Sequence, residues 1–216
     1  MLHIASFENL GVGGAVMSER SDGDACSDNG LSRILQSLNI SRNTLAMVNQ
    51  VHGVTIVEAH EGGDADGIIT NRPGISLGIR TADCVPVYVA APQSRAIGLF
   101  HAGRAGTMQE IVVHGIRKMQ ECYDINPGDL SAYIGPSAGP CCYEVTEEIA
   151  QDYSQRGWDT QGRNLNLWDA NIQQLIAAGV PNSQIDCSNQ CTICSRNFFS
   201  YRNGDTTARN IAILTL

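Results

Sequence analysis

Along the first half of the chain, apolar residues alternate with polar or small ones in short runs; along the second half they recur at helical spacing. LSRILQSLNI (31–40) sets Leu31, Ile34, Leu35 and Leu38 on one face and predicts a short amphipathic helix. Strand-like segments then follow closely: TLAMVNQV, VTIVEA, DGIIT, ISLGIRT, VPVYVAA and AIGLFHA, separated by turns carrying Gly, Asn, Pro, Gln or Ser. The period changes at Thr107. In TMQEIVVHGIRKMQECY, Met108, Ile111, Val112, Ile116, Met119 and Cys122 fall at helical spacing, and Thr107 with Glu110 predicts a capping box. DLSAYIG (129–135) reads as a strand. Two further helices are expected near 145–157 and 167–179, the second stopped by Gly179 and Pro181. IDCSN, FFSYR and NIAILTL close the chain as strands. Neighbouring strands followed by helical crossovers predict an α/β or α+β chain with at least one large mixed sheet, most simply a single domain over 1–216.

One stretch interrupts the alternation in an informative way. RTADCVPV (80–87) sets Asp83 and Cys84 side by side between two strand-like runs. Pro86 lacks the N–H a ladder needs, so the strand is expected to bulge or break there and turn Cys84 toward a ligand.

Composition narrows the classes. With 43% apolar and 17% charged residues the chain is an ordered globular protein. Its formal charge is −8 and Lys118 is its one lysine, which disfavours nucleic acid and anionic membranes as partners. The start, MLHIASFENLG, has no signal-peptide pattern, and a cytoplasmic setting is expected. There the eight cysteines stay reduced and serve as metal ligands, nucleophiles or small buried residues.

Five histidines are present. His3 and His60 read as surface residues and His114 as structural. His52 in NQVHG and His101 in GLFHAGRAGT each end a strand before a glycine turn, and Cys84 ends a third. Strand ends facing loops are where α/β proteins place their sites. Two imidazoles and a thiolate suit Zn2+ with an open fourth position, and they also suit copper. Spacing alone leaves this set open against turn and core roles. Cys141 and Cys142 lie in IGPSAGPCCYEV, a rigid loop whose N–H groups could cradle an anion. Cys187, Cys191 and Cys194 hold a lone Cys-x-x-Cys, a weak signal, and Cys187 and Cys194 are expected to be structural.

Together NQVHG (49–53), ADGIIT (65–70), TADCVPV (81–87), HAGRAGT (101–107), IGPSAGPCCYEV (134–145) and FFSYRNGDTTAR (198–209) resemble the YfiH-type, laccase-domain family, also called multicopper polyphenol oxidases. The resemblance runs from about residue 9 to the C-terminus. It implies a four-layer α/β/β/α fold with mixed sheets, like that of cytotoxic-necrotising-factor deamidases. It further implies a metal held by His52, Cys84 and His101, with Asp83 behind the ligands, orienting one or handling a proton. Two departures stand out. Arg104 and Ala105 replace the family's Trp and Arg in HAGWRGT, and Asn203 and Ala208 alter the family's YRR and TGR.

The resemblance implies zinc-dependent phosphorolysis of adenosine, inosine or methylthioadenosine, with deamination of adenosine as a second activity. Zinc would make a bound water acidic near pH ~7 for attack at the purine, with Cys84, His101 and Asp83 as the catalytic set and Asp83 or Glu144 as proton shuttle. Arg80, Arg104, Arg202 and Arg209 are the cations for phosphate, and Arg80, Arg104, Glu144 and Arg202 the expected substrate contacts. Nucleoside and phosphate are thus the expected partners, to a monomer or homodimer. Two alternatives belong to other classes. A copper-dependent phenol oxidase needs roughly ten histidines for its several copper sites, twice the number present. A cysteine hydrolase built on Cys84 and His101, acting on peptidoglycan precursors, needs Cys84 free of metal.

Overall fold

The computed structural model describes every residue except Asn9 and, of Glu8, only the backbone. Sequence-predicted apolar runs become the strands of two mixed sheets. The N-terminal elements are β1 (Leu2–His3), α1 (Ala5–Glu8), β2 (Gly14–Met17), and α2 (Asp28–Ser37), whose N-cap Ser27 accepts a hydrogen bond from the Gly30 N–H. Strands β3 (Leu45–Met47), β4 (Ile56–Glu58), β5 (Gly67–Thr70), β6 (Ser76–Thr81), β7 (Val85–Ala91) and β8 (Ala96–Ala102) follow. Then come α3 (Arg104–Met108), α4 (Ile111–Tyr123), β9 (Ser131–Ile134), α5 (Glu147–Gln155), β10 (Thr160–Gln161), β11 (Asn164–Leu165), α6 (Leu167–Ala177), β12 (Ile185–Cys187) and β13 (Asn210–Thr215).

One sheet has the order β1-β2-β13-β6-β3 and the other β12-β9-β7-β8-β5-β4; β10 and β11 form a separate ribbon. Both are mixed, because β3 runs parallel to β6, β4 to β5 and β12 to β9 while the other pairs are antiparallel. Alternation along β7 shows how the layers stack. Val85, Val87 and Val89 point to one cluster with Ile116 and Met119 of α4 and Leu175 of α6. Tyr88 and Ala90 point to another, with Leu77 and Ile79 of β6 and Leu214 of β13. Beyond the smaller sheet, Leu31, Ile34 and Leu35 of α2 pack on Val16, Ile211 and Ile213. Helices, six-stranded sheet, five-stranded sheet and a lone helix therefore follow one another, each interface filled by one face of a strand or helix.

Three local expectations give way. The helix foreseen from Thr107 is two helices, because Glu110 adopts a left-handed conformation (φ 61°) between them; Thr107 is buried inside α3 and caps nothing. FFSYR is not a strand. Three of its five backbone N–H groups are taken by side chains: Phe199 donates to Asn210 (2.9 Å), Ser200 to Asp205 (2.9 Å) and Arg202 to Asp83 (2.8 Å), which leaves too few for a ladder. Pro86 breaks nothing either. It lies at the start of β7, where pairing with β9 begins only at Val87, so its missing N–H costs no bond on that side. The chain turns earlier, at Asp83, whose φ of 85° ends β6 and turns Cys84 out before β7 begins.

Candidate metal centre and its cavity

Three segments meet at one end of the sheets. His101 sits on β8, Cys84 in the turn between β6 and β7, and His52 in the loop between β3 and β4. The ligand atoms of His52, Cys84 and His101 all lie within 4.8 Å of one another, and the two imidazoles meet edge to face with ring centroids 4.9 Å apart. Gly103 leaves room for them: a Cβ there would stand 2.9 Å from Cys84 Sγ.

The residue that assembles this cluster is Asp66, at the entrance to β5 and fully buried. Its carboxylate is paired with His101 Nδ1 at 2.7 Å and accepts the backbone N–H groups of Val51 (3.2 Å), His52 (3.0 Å) and Gly53 (2.6 Å). One carboxylate thus fixes the imidazole with Nε2 left for a ligand and holds the 51–53 loop in the left-handed turn that presents His52 (φ 61°). ADGIIT carries this acid at its second position. The available signal was an acid between Ala65 and Gly67 at the start of an apolar strand, where an unpaired carboxylate is costly.

Asp83, expected to stand behind the ligands, does something else. It is buried, and its oxygens accept from Thr192 Oγ1 (2.6 Å), Ser200 Oγ (3.0 Å) and the Arg202 N–H (2.8 Å). It fastens the C-terminal loops to the β6–β7 turn rather than orienting a metal ligand.

The electrostatics follow from this packing. Burial pushes the Cys84 thiol up, but the His101 charge and hydrogen bonds from both imidazoles overcome it and bring the thiol down to about 6. Burial likewise pushes His101 down, yet the Cys84 thiolate and the Asp66 carboxylate raise it to about 9. His52 is also raised, chiefly by its hydrogen bond to Cys84. The metal-free protein therefore holds a thiolate–imidazolium pair between roughly pH 6 and 9. A metal bound by this cluster would displace the His101 proton, so zinc affinity should rise about tenfold per pH unit across that window and level off above it. Calorimetry of zinc binding in buffers of different ionisation enthalpy should show net proton release at pH 7.5; uptake or no exchange would contradict the assignment of charges.

A cavity of about 520 Å3 opens over the cluster. Besides His52, Cys84, His101 and Asp83 its walls include Gln50, Arg80, Tyr143, Tyr201, Arg202 and Arg209. Gln50 clamps the Arg80 backbone with paired bonds of 2.8 and 2.9 Å. Arg80 Nε donates to the Ala25 carbonyl (3.0 Å). Arg202 lies over the Tyr143 ring at 4.6 Å and donates to the Glu144 carbonyl (2.8 Å). Arg209 donates to the carbonyls of Asp205, Thr206 and Ala208. None of these three guanidinium groups has a carboxylate partner among the described residues. Arg104 and Glu144 fall outside the walls. Arg104 is exposed at the first position of α3, and the Glu144 carboxylate pairs with Arg163. His3, His60 and His114 are exposed and take no part.

The loop cysteines also converge. Cys141, Cys142, Cys191 and Cys194 bring their sulfurs within 4.8 Å of one another, although Cys194 was expected to be structural. Cys187, by contrast, stays apart on β12.

A mixed two-sheet α/β chain with a His–Cys–His cluster under a cavity is thus the kind of protein the structure defines. The chain belongs to the YfiH-type, laccase-domain family: the family described as multi-copper polyphenol oxidoreductase laccase matches residues 6–216. Purine nucleoside phosphorylase YlmD of Geobacillus stearothermophilus is 34% identical over 96% of this chain and 84% of its own length. A purine nucleoside phosphorylase of Deinococcus radiodurans is 33% identical over 94% of this chain and 82% of its own. The crystal structure of the Geobacillus YlmD superimposes with a TM-score of 0.83, at 31% identity, over 94% of this chain and 91% of that one. No helix among the described residues is long and apolar enough to cross a membrane.

Proposed function

We propose that the chain is a metal-dependent purine nucleoside phosphorylase, acting on adenosine, inosine or methylthioadenosine in a reducing, cytoplasmic setting. The observation that carries this reading is the cavity itself: a thiolate–imidazole floor faced by Arg80, Arg202 and Arg209, whose charges are held by carbonyls and so remain available to an anion. The names of the relatives point the same way.

The donor set fits zinc, since a depressed thiol and two imidazoles, one oriented by a carboxylate, are what a three-ligand catalytic site offers. His52, Cys84 and His101 would hold the ion, which when bound supplies Lewis acidity at the cavity floor. The chain's own groups do the rest. Arg80, Arg202 and Arg209 bind phosphate and set it against C1′ of the ribose. Tyr143, stiffened under Arg202, and Tyr201 are aromatic walls against which a purine can stack. Phosphate oxygen bonds to C1′, the C1′–N9 bond breaks, and its electron pair leaves with the base, which takes a proton. Deamination has less support in the cavity wall. Asp83 is the one carboxylate in the cavity wall among the described residues, and both its oxygens are engaged; Glu144 is paired elsewhere.

Varying phosphate against inosine tests the anion assignment. Arg209→Ala should raise the KM for phosphate about tenfold or more while moving the KM for inosine little; an unchanged phosphate KM would remove Arg209 from the phosphate site. One observation favours a second reading, a cysteine hydrolase: the Cys84 thiolate beside an imidazolium is also a nucleophile's setting. Metal occupancy separates the two, because a coordinated thiolate does not attack. Copper oxidation has less support, since the cluster holds two of the five histidines and the other three are exposed.

A further inference from the structure

The second group of sulfurs is built from two loops. Cys141 and Cys142 follow Gly139 and Pro140 in the loop after β9, and Cys191 and Cys194 form a Cys-x-x-Cys turn after β12. The loops are stitched together by backbone bonds between Ser137 and its neighbours across the gap, Gln190 (3.2 Å) and Thr192 (3.0 Å). Gly139 makes the approach feasible, since a Cβ there would fall 3.1 Å from Cys191 Cβ and 2.6 Å from the Trp168 ring. Two of the sulfur pairs stand at 2.9 Å (Cys142–Cys194) and 3.3 Å (Cys141–Cys194). Four thiolates about a zinc ion stand roughly 3.8 Å apart, from Zn–S bonds of about 2.3 Å in a tetrahedron. These two pairs need to open by less than about 1 Å to reach that spacing, and the other pairs already lie within 4.8 Å.

Backbone donors already point inward. The Gly139 N–H donates to Cys191 Sγ at 3.3 Å, and the Ile193 and Cys194 N–H groups turn toward the same sulfur. Hydrogen bonds of this kind stabilise a thiolate, the form a metal binds. A disulfide would join two of the sulfurs and leave the other two unexplained, whereas one soft cation engages all four.

We propose that Cys141, Cys142, Cys191 and Cys194 form a second metal site, a four-thiolate centre for structural Zn2+, separate from the His52–Cys84–His101 cluster. The closed four-ligand set leaves no open position, so this ion is structural rather than catalytic. Its place explains what it does. Tyr143 follows Cys142 directly and lines the cavity; Thr192 follows Cys191 directly and bonds to Asp83. The ion ties the Tyr143 segment and the Thr192 segment that holds Asp83 to one point.

The test is a metal count on the full chain, produced with added zinc and purified without chelator under reducing conditions. Native mass spectrometry should find two zinc ions in the wild type and one each in Cys84→Ser and Cys194→Ser. The Cys84→Ser protein loaded with Co2+ should show the intense near-ultraviolet sulfur-to-metal bands and visible bands of tetrahedral thiolate coordination. Cys84→Ser leaves the four cysteines intact, so the spectrum reports on them even if Cys194→Ser fails to fold. Loss of the second ion should also lower the thermal midpoint by several degrees. One ion in the wild type that vanishes in Cys84→Ser, a bound iron–sulfur chromophore, or a Cys142–Cys194 disulfide without a second zinc would each overturn the proposal. An unchanged count in Cys84→Ser would instead remove the ion from the His–Cys–His cluster and leave the four-thiolate site standing.

Discussion

Asp66→Asn is expected to weaken zinc binding by 10- to 100-fold, roughly the cost of removing the partner that orients a ligating histidine. The carboxylate receives four donors: His101 Nδ1 and the N–H groups of Val51, His52 and Gly53. An amide keeps the shape and loses the chemistry. Its NH2 brings hydrogens to a place already full of them, and its single oxygen cannot satisfy four donors. His101 then loses the acceptor that holds its proton on Nδ1, so the ring is free to carry the proton on Nε2, where it blocks a ligand bond. The 51–53 turn loosens at the same time, moving His52. Breaking a buried pair of this kind should also cost about 3 kcal/mol of stability. A chromophoric chelator competition and a urea titration read the two effects separately. Wild-type zinc affinity in the folded variant would show that Asp66 is a loop clamp only.

Asp83→Asn should leave zinc bound and impair turnover. The left-handed backbone at this position suits asparagine, so the substitution isolates the charge. Each of the three bonds to Thr192, Ser200 and Arg202 is charge-assisted and contributes about 1.5 kcal/mol or more. Weakening them frees the segment that carries Tyr201 and Arg202 into the cavity. The KM for nucleoside should rise about tenfold, with a smaller loss in kcat and no change in the shape of the pH–rate profile. Disappearance of an ionisation from that profile would mean that Asp83 handles a proton after all, as the family resemblance first suggested.

The two aspartates show what a linear sequence displays and what it conceals. Cys84, His52 and His101 were visible because each stands where a strand pattern ends at a turn, and strand ends of one sheet system gather in space. Asp66 was hidden because its role depends on which loop folds back over β5, a matter of topology and not of spacing. Asp83 stands out in the sequence as the neighbour of a thiol, yet its φ of 85° turns the chain between the two residues, and spacing does not show which way each side chain then faces. Cys84 faces the imidazoles while Asp83 faces the C-terminal loops. The same limit explains the cysteines. Cys141-Cys142 and Cys191-x-x-Cys194 are each weak alone, and only the parallel pairing of β12 with β9 brings their loops together. Sheets and helices followed period 2 and period 3.6 closely. FFSYR departs from the strand pattern because Phe198 and Phe199 are buried while backbone bonds of the segment go to the side chains of Asn210, Asp205 and Asp83.

Product analysis distinguishes phosphorolysis at this cavity from every other reaction. Protein of known zinc content is incubated with adenosine, with and without phosphate, beside Cys84→Ala, and the products are separated by chromatography. Adenine and ribose 1-phosphate are expected from the wild type only when phosphate is present, with little inosine, and neither product from Cys84→Ala. Base release without phosphate, or turnover that survives loss of Cys84 and its metal, would contradict phosphorolysis at this cavity.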